Sequence, residues 1–125
     1  MHVIAESDVA LIETPGGNRA GALATPRTGA VEVSVIRQRQ SPGGGNPPHW
    51  HDREEVIAVL RGQISVTVES ESRELRAGDS VIISARSRHQ IENVGEDEAE
   101  WLLIAPAGIR FFHANGEEAH PAWSL

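Results

Sequence analysis

Apolar and polar residues alternate with a period of about two along much of this chain, in short runs broken by glycine and proline. That periodicity marks strands that bury one face. Val31, Val33 and Val35 alternate with Glu32 and Ser34 before the run continues through Ile36 to Arg37 and Arg39. Residues 55–60 are apolar on both faces, while Ile64, Val66 and Val68 alternate with Ser65 and Thr67, so Arg61-Gly62 between them reads as a hairpin turn. Leu75 and residues 81–83, 89–94 and 101–104 supply further short segments, separated by turns at 77–79, 95–97 and 106–108. Either Trp101 with Leu103 or Leu102 with Ile104 faces inward. Strands this short and evenly spaced predict an all-β sandwich or barrel with little helix.

Other stretches are less regular. Residues 7–12 fit a short amphipathic turn or an edge strand, and residues 14–29, rich in Pro, Gly, Thr and Asn, fit a covering loop or an irregular strand. Phe111 and Phe112 are expected in the core or an interface, His113 and His120 at the surface or an interface. The tail is polar except for Trp123, which is expected to pack on something.

A chain of 125 residues is long enough for one ordinary domain and short for two. No apolar run approaches the ~20 residues of a bilayer-spanning helix, and residues 1–12 lack a basic stretch ahead of an apolar core, so a soluble cytoplasmic protein without a membrane partner is expected. Eleven basic against eighteen acidic residues give a net charge of -7, which repels nucleic acid phosphates; no nucleic acid partner is expected. With no cysteine, any metal must be held by nitrogen and oxygen. The chain carries no Gly-x-Ser-x-Gly elbow, and its Gly43-Gly44-Gly45 run leads to Pro47-Pro48 and a strand, unlike a phosphate-binding loop.

His49 and His51 stand two apart in an extended segment and project to one side, and Glu55 shares their parity. Glu54 and Trp50 then point the other way. His89 lies on a later apolar segment that closure of the sheet would bring alongside. Imidazole and carboxylate together suit a divalent transition metal, Mn, Fe, Co, Ni, Cu or Zn, better than calcium or magnesium. Arg37 and Arg39 share the parity of the three valines, so a valine face turned inward would carry one or both to a pocket mouth, where they would bind an anionic substrate; a bend near Ile36 would leave them in solvent.

The spacing Gly43-x5-His49-x-His51-x3-Glu55-x6-Gly62 resembles the first signature of the cupin superfamily at all five fixed positions. Gly78-x5-Ser84-x-Arg86-x2-His89-x3-Asn93 resembles the second in part, with Ser84 and Arg86 standing where proline and glycine are usual. The resemblance covers residues 43–93. It implies a single antiparallel β-barrel of jelly-roll type, in a domain of residues 1–125 with its core near 31–106 and with 1–30 and 107–125 as flanking or dimer-contact segments. It further implies one divalent transition metal held by His49, His51, Glu55 and His89, with positions left open for catalysis. Glu55 would exchange between ligand and base.

The reaction class stays open among dioxygenase, isomerase and cyclase types on a small organic molecule, and a non-catalytic binding or sensor module is the alternative. Among residues near the motifs, Gln38, Gln90, Arg37 and Arg39 include no strong general base. Arg86, at a position favouring glycine, meets a steric cost if φ is positive, and Arg86 or Arg88 serves either as an anion contact at the rim or as a solvated turn residue. A homodimer is expected, because segments apolar on both faces leave an outer surface to cover.

Overall fold

The computed structural model describes residues 1–121, so Trp123 lies outside the described residues. Twelve strands form: β1 (Ile12–Thr14), β2 (Asn18–Ala24), β3 (Val33–Gln40), β4 (His49–His51), β5 (Glu55–Arg61), β6 (Gln63–Val68), β7 (Glu71–Arg76), β8 (Ser80–Ile83), β9 (His89–Asn93), β10 (Ala99–Pro106), β11 (Phe111–His113) and β12 (Glu118–Ala119). The only helical pieces among the described residues are 3-10 turns at Glu6–Asp8 and Pro26–Thr28. Two six-stranded antiparallel sheets result, ordered β1-β2-β3-β10-β5-β8 and β12-β11-β4-β9-β6-β7. Strand pairing extends beyond residues 31–106 on both sides, since β2 pairs along β3 and β11 pairs along β4. Residues 7–12 divide between the end of a 3-10 turn and the start of β1, and residues 14–29 contain the regular strand β2.

The turn expected at Arg61-Gly62 is not a hairpin. β5 pairs with β10 and β8 in one sheet, whereas β6 pairs with β7 and β9 in the other, so the chain crosses between sheets at Gly62. Gly62 takes φ +81°, and a Cβ there would come within 2.9 Å of Ala99 Cα. Glycine is needed for both the left-handed backbone and the close approach. The β5–β10 register shifts at the same corner, between Glu100 and Trp101.

Between the sheets lies one core that includes Ile36, Ile57, Val59, Ile64, Val66, Ile83, Ile91, Trp101 and Leu103. Trp101 and Leu103 are thus the inward pair of β10. The valine parity in β3 is corrected: Ser34, Ile36 and Gln40 are buried, while Val31 is 87% and Val33 51% exposed. Hydrophobicity misleads here because the outer face is apolar too. Val35, Ile104, Val56 and Ile82 stand opposite one another across β3, β10, β5 and β8 and form an outward stripe. The polar Gln40 is tolerated inside because its Nε2 donates to Asn18 Oδ1 (2.9 Å) and Ile91 O (3.2 Å).

The asparagine that ends the second signature has a structural task. Buried Asn93 donates through Nδ2 to Gln40 O and Asp97 O, both at 2.9 Å, and its Oδ1 accepts from the Gly95 amide at 2.9 Å. It thereby fastens β9 to β3 in the other sheet and to the following turn. Asn93→Leu should lower stability by about 2–3 kcal/mol, because a buried carbonyl loses its donor; urea denaturation of the two proteins measures the difference.

Candidate metal centre and cavity

β4 holds His49 and His51 on its inner side, and His89 opens β9 directly opposite His49. Trp50 faces outward and stacks on Phe112 with ring centroids 4.2 Å apart and planes 9° from parallel. Glu55 reaches the cluster by another route than regular alternation: the strand breaks after His51, residues 52–54 bend, and Glu55 begins β5 in the opposite sheet. The outcome matches the parity expectation, with Glu55 buried and Glu54 exposed.

Three imidazoles therefore converge, each offering a nitrogen, all three nitrogens within 4.8 Å of one another. Ring centroids are 5.1 Å apart for His49–His51, 4.3 Å for His49–His89 and 5.2 Å for His51–His89. His49 Nδ1 lies 2.9 Å from Pro47 O and His89 Nδ1 2.9 Å from Ser87 O. A carbonyl only accepts, so each Nδ1 carries a proton and each ring turns its Nε2 to the cluster. Glu55 Oε1 sits 2.8 Å from His89 Nε2, and Oε2 sits 3.0 Å from His51 Nε2. These contacts are close enough for ion pairing yet poorly aligned for hydrogen bonds. Both nitrogens of His51, Nε2 of His89 and Oε2 of Glu55 are buried with no hydrogen-bond partner. Orphaned nitrogen and oxygen atoms gathered at one point fit a divalent transition metal.

The electrostatics agree with that fit. Burial, reinforced by the neighbouring His89, pushes His49 down to about 4, so it is neutral and ready to coordinate near pH 7. Burial pushes the Glu55 carboxyl up, but His51 and His89 pressed against it pull it further down, to about 2. Burial likewise lowers His89, and the Glu55 carboxylate more than reverses this, leaving it raised. Glu55 is thus an anion at neutral pH, shared between two rings.

A cavity of about 350 Å³ opens beside the cluster, lined in part by His49, Glu55, Gln38, Ile57, Ile91 and Trp101, with Phe111 and His113 nearer β11. His113 was missed as a site residue. It stands opposite His49 in the β11–β4 register, and its parity with inward Phe111 was the available clue. Arg37 and Arg39 do not continue an inward face. Arg37 binds Glu6 at 3.1 Å, and Arg39, which borders the cavity, binds Glu100 at 2.6 Å. Gln90 is turned to Glu92, 2.7 Å away. His120 lines a separate cavity with Arg27 and Arg110.

A cupin domain model matches residues 36–105. The chain belongs to the cupin domain family. Among curated proteins this cupin is 33% identical over 102 residues to oxalate oxidase GF-2.8 of Triticum aestivum, covering 72% of this chain and 46% of that protein. It is 37% identical over 109 residues to germin-like protein 3-5 of Oryza sativa subsp. japonica, covering 80% of this chain and 42% of that one. The chain thus spans less than half the length of these curated relatives. Among solved structures, the polyketide cyclase RemF from Streptomyces resistomycificus superposes with a TM-score of 0.77 at 21% identity, covering 99% of this chain and 89% of that one, a likeness of fold. An oxalate oxidase superposes with a TM-score of 0.68 at 30% identity over 78% of this chain and 56% of that one.

Within this family, the departure at Arg86 is accommodated rather than avoided. Arg86 takes φ +65°, the conformation a glycine adopts freely, and its amide donates to His51 O at 2.7 Å. The hydrogen bond ties the turn before His89 to the strand that bears His51. Arg88 braces the same turn, with its amide on Glu69 Oε1 and its guanidinium on Ala114 O. Because an L side chain in the left-handed region costs about 1–2 kcal/mol, Arg86→Gly should raise the melting temperature by a few degrees, offset in part by the freedom glycine gains on unfolding. Metal content should not change; calorimetry and elemental analysis check the two halves.

Proposed function

We propose that this cupin is a metal-dependent enzyme acting on a small, predominantly apolar organic molecule, with its two sheets closed as a jelly-roll barrel around the site. The carrying observation is that three imidazole nitrogens meet beside a cavity whose wall is mostly apolar. His49, His51, Glu55 and His89 would hold the ion, which when bound supplies a Lewis acid or a dioxygen site, with identity open among Mn, Fe, Co, Ni, Cu and Zn. His49 and His89 are fixed in tautomer by Pro47 and Ser87. Ile57, Ile91, Leu103 and Phe111 keep water from the bound molecule. Glu55 is the catalytic candidate, an anion that would exchange between ligand and base, and His113 stands on the wall of the same cavity.

The relatives named oxalate oxidases suggest a small dianion as a second reading. Such a substrate would meet the bound ion but find no free arginine beside it, since those at this cavity are engaged: Arg19 with Glu98, Arg39 with Glu100. An acid would have to displace Glu100 before Arg39, or Arg37 behind it, could bind it. A neutral molecule faces no such competition. A non-catalytic ligand-binding module is the remaining alternative, favoured by the absence of a second free carboxylate in the described cavity lining.

Elemental analysis of protein purified without added metal tests the reading. His49→Ala, His51→Ala and His89→Ala should each weaken metal affinity by on the order of 100-fold while circular dichroism still reports β structure. Glu55→Gln should lose metal and Glu54→Gln should not. Full occupancy in all three histidine variants would refute the site.

We further propose that the outward stripe of Val35, Ile104, Val56 and Ile82 pairs two copies of the chain as a homodimer, since a contiguous apolar sheet face is costly to leave in water. Light scattering should give twice the chain mass, and Ile82→Glu should give monomers. A wild-type monomer at micromolar concentration would refute the pairing.

A further inference from the structure

Among the polar groups on the cavity wall that the metal reading leaves without a use is the amide of Gln38. Gln38 and Trp101 stand opposite each other across β3 and β10, both on the inner side of the sheet, and both line the cavity. The indole Nε1–H donates to Gln38 Oε1. Because an indole nitrogen can only donate, it can be satisfied only by the oxygen of the amide, and this fixes which way the amide turns. The Gln38 Nε2 group is therefore directed away from Trp101.

That nitrogen has no hydrogen-bond partner among the described residues, and it is not among the buried unpartnered atoms, so it keeps accessible surface. Gln38 is half-buried on an inward-facing position, which places that surface at the cavity. The same wall carries Ala20, Ile57, Ile91, Leu103 and Phe111 and is mostly apolar, while the neighbouring Arg39 is paired with Glu100. A held amide donor in such a wall selects a neutral oxygen acceptor over a hydrocarbon, because the hydrocarbon would strip water from the amide and return nothing.

We propose that Gln38 is a specificity-determining residue of the cavity, donating Nε2–H to a carbonyl oxygen of a neutral, largely apolar molecule, with Trp101 as its positioning residue. This rests on the reading of the cavity as the ligand site. It differs from the metal assignment in naming a contact that survives without the ion.

The test uses 2-acetylnaphthalene and 2-ethylnaphthalene, which differ at one carbon bearing either a carbonyl oxygen or two hydrogens. Titrations followed by ligand-observed NMR are run on the protein as purified, on His49→Ala and on the Gln38 variants. The ketone should bind about tenfold tighter than the hydrocarbon, the value of one good hydrogen bond. Gln38→Glu is the informative change, because it still gives Trp101 an acceptor and so keeps the wall intact, yet presents a second acceptor to the cavity. It should abolish or invert the preference while metal content is unchanged. Trp101→Phe should shrink the preference and leave hydrocarbon binding within about twofold, since the freed amide loses its fixed direction. The preference should persist in His49→Ala.

Equal binding of the two compounds, binding of neither, or a preference that outlives Gln38→Glu would overturn the assignment. A preference that vanishes in His49→Ala and survives Gln38→Glu would give the oxygen to the metal, overturning this proposal while leaving the metal-dependent reading intact. Wild-type protein devoid of metal that still prefers the ketone through Gln38 would sustain this proposal while removing that reading.

Discussion

A carboxylate withdrawn from water must be met by positive charge or by donors, and Glu55, at 2% exposure, is met by imidazoles that belong to the other sheet. The surrounding architecture follows from that demand. His51 and His89 must stand on neighbouring strands of one sheet, Glu55 must begin a strand of the other, and the bend at residues 52–54 must carry the chain from one to the other within three residues. Asn93, four residues beyond His89, clamps the same two sheets from the opposite end of β9. The cluster is thus a polar seam in an otherwise apolar interior, and the cavity beside it inherits both characters.

Alternation along the chain located the central strands, β3 and β5 to β10, because most of them bury one face, and it left β1, β2, β11 and β12 unassigned. It did not say which face. In β3 the polar members point inward, since Gln40 finds Asn18 and Ile91 as partners while Val31 and Val33 lie on an outer surface that is apolar as well. Nor could local pattern separate a hairpin from a crossing at Gly62, because both call for a residue at positive φ. What decides is whether the flanking strands share a ladder, and that depends on β10, about 40 residues further along. The clustering of His49, His51, Glu55 and His89 was easier to read, since imidazole and carboxylate at fixed spacing carry chemistry as well as hydrophobicity. Gln38 and His113 were harder because their roles arise from cross-strand neighbours, Trp101 and His49.

The charges near the cavity are arranged to cancel. Glu98 holds Arg19 and Arg61, and Glu100 holds Arg39 with Arg37 close by. Held at a partly exposed rim, such pairs contribute modestly to stability, yet together they leave the described cavity lining without a free guanidinium. On the proposed reading, selectivity in such a cavity would rest on shape and on single hydrogen bonds, where a wrong partner is excluded by the cost of an unpaired polar group rather than by charge repulsion.

The position of β10 between β3 and β5 bears on how the chain is made. It pairs with residues some sixty to seventy positions earlier on one side and about forty on the other, so β3 and β5 leave the ribosome long before the strand that joins them. Until residue 106 is clear of the exit tunnel, the sheet has no centre. Contacts of such sequence separation form slowly, and unpaired strand edges are what aggregation and chaperones compete for. That interval is therefore when the facing edges of β3 and β5 stand unpaired and open to association with other chains.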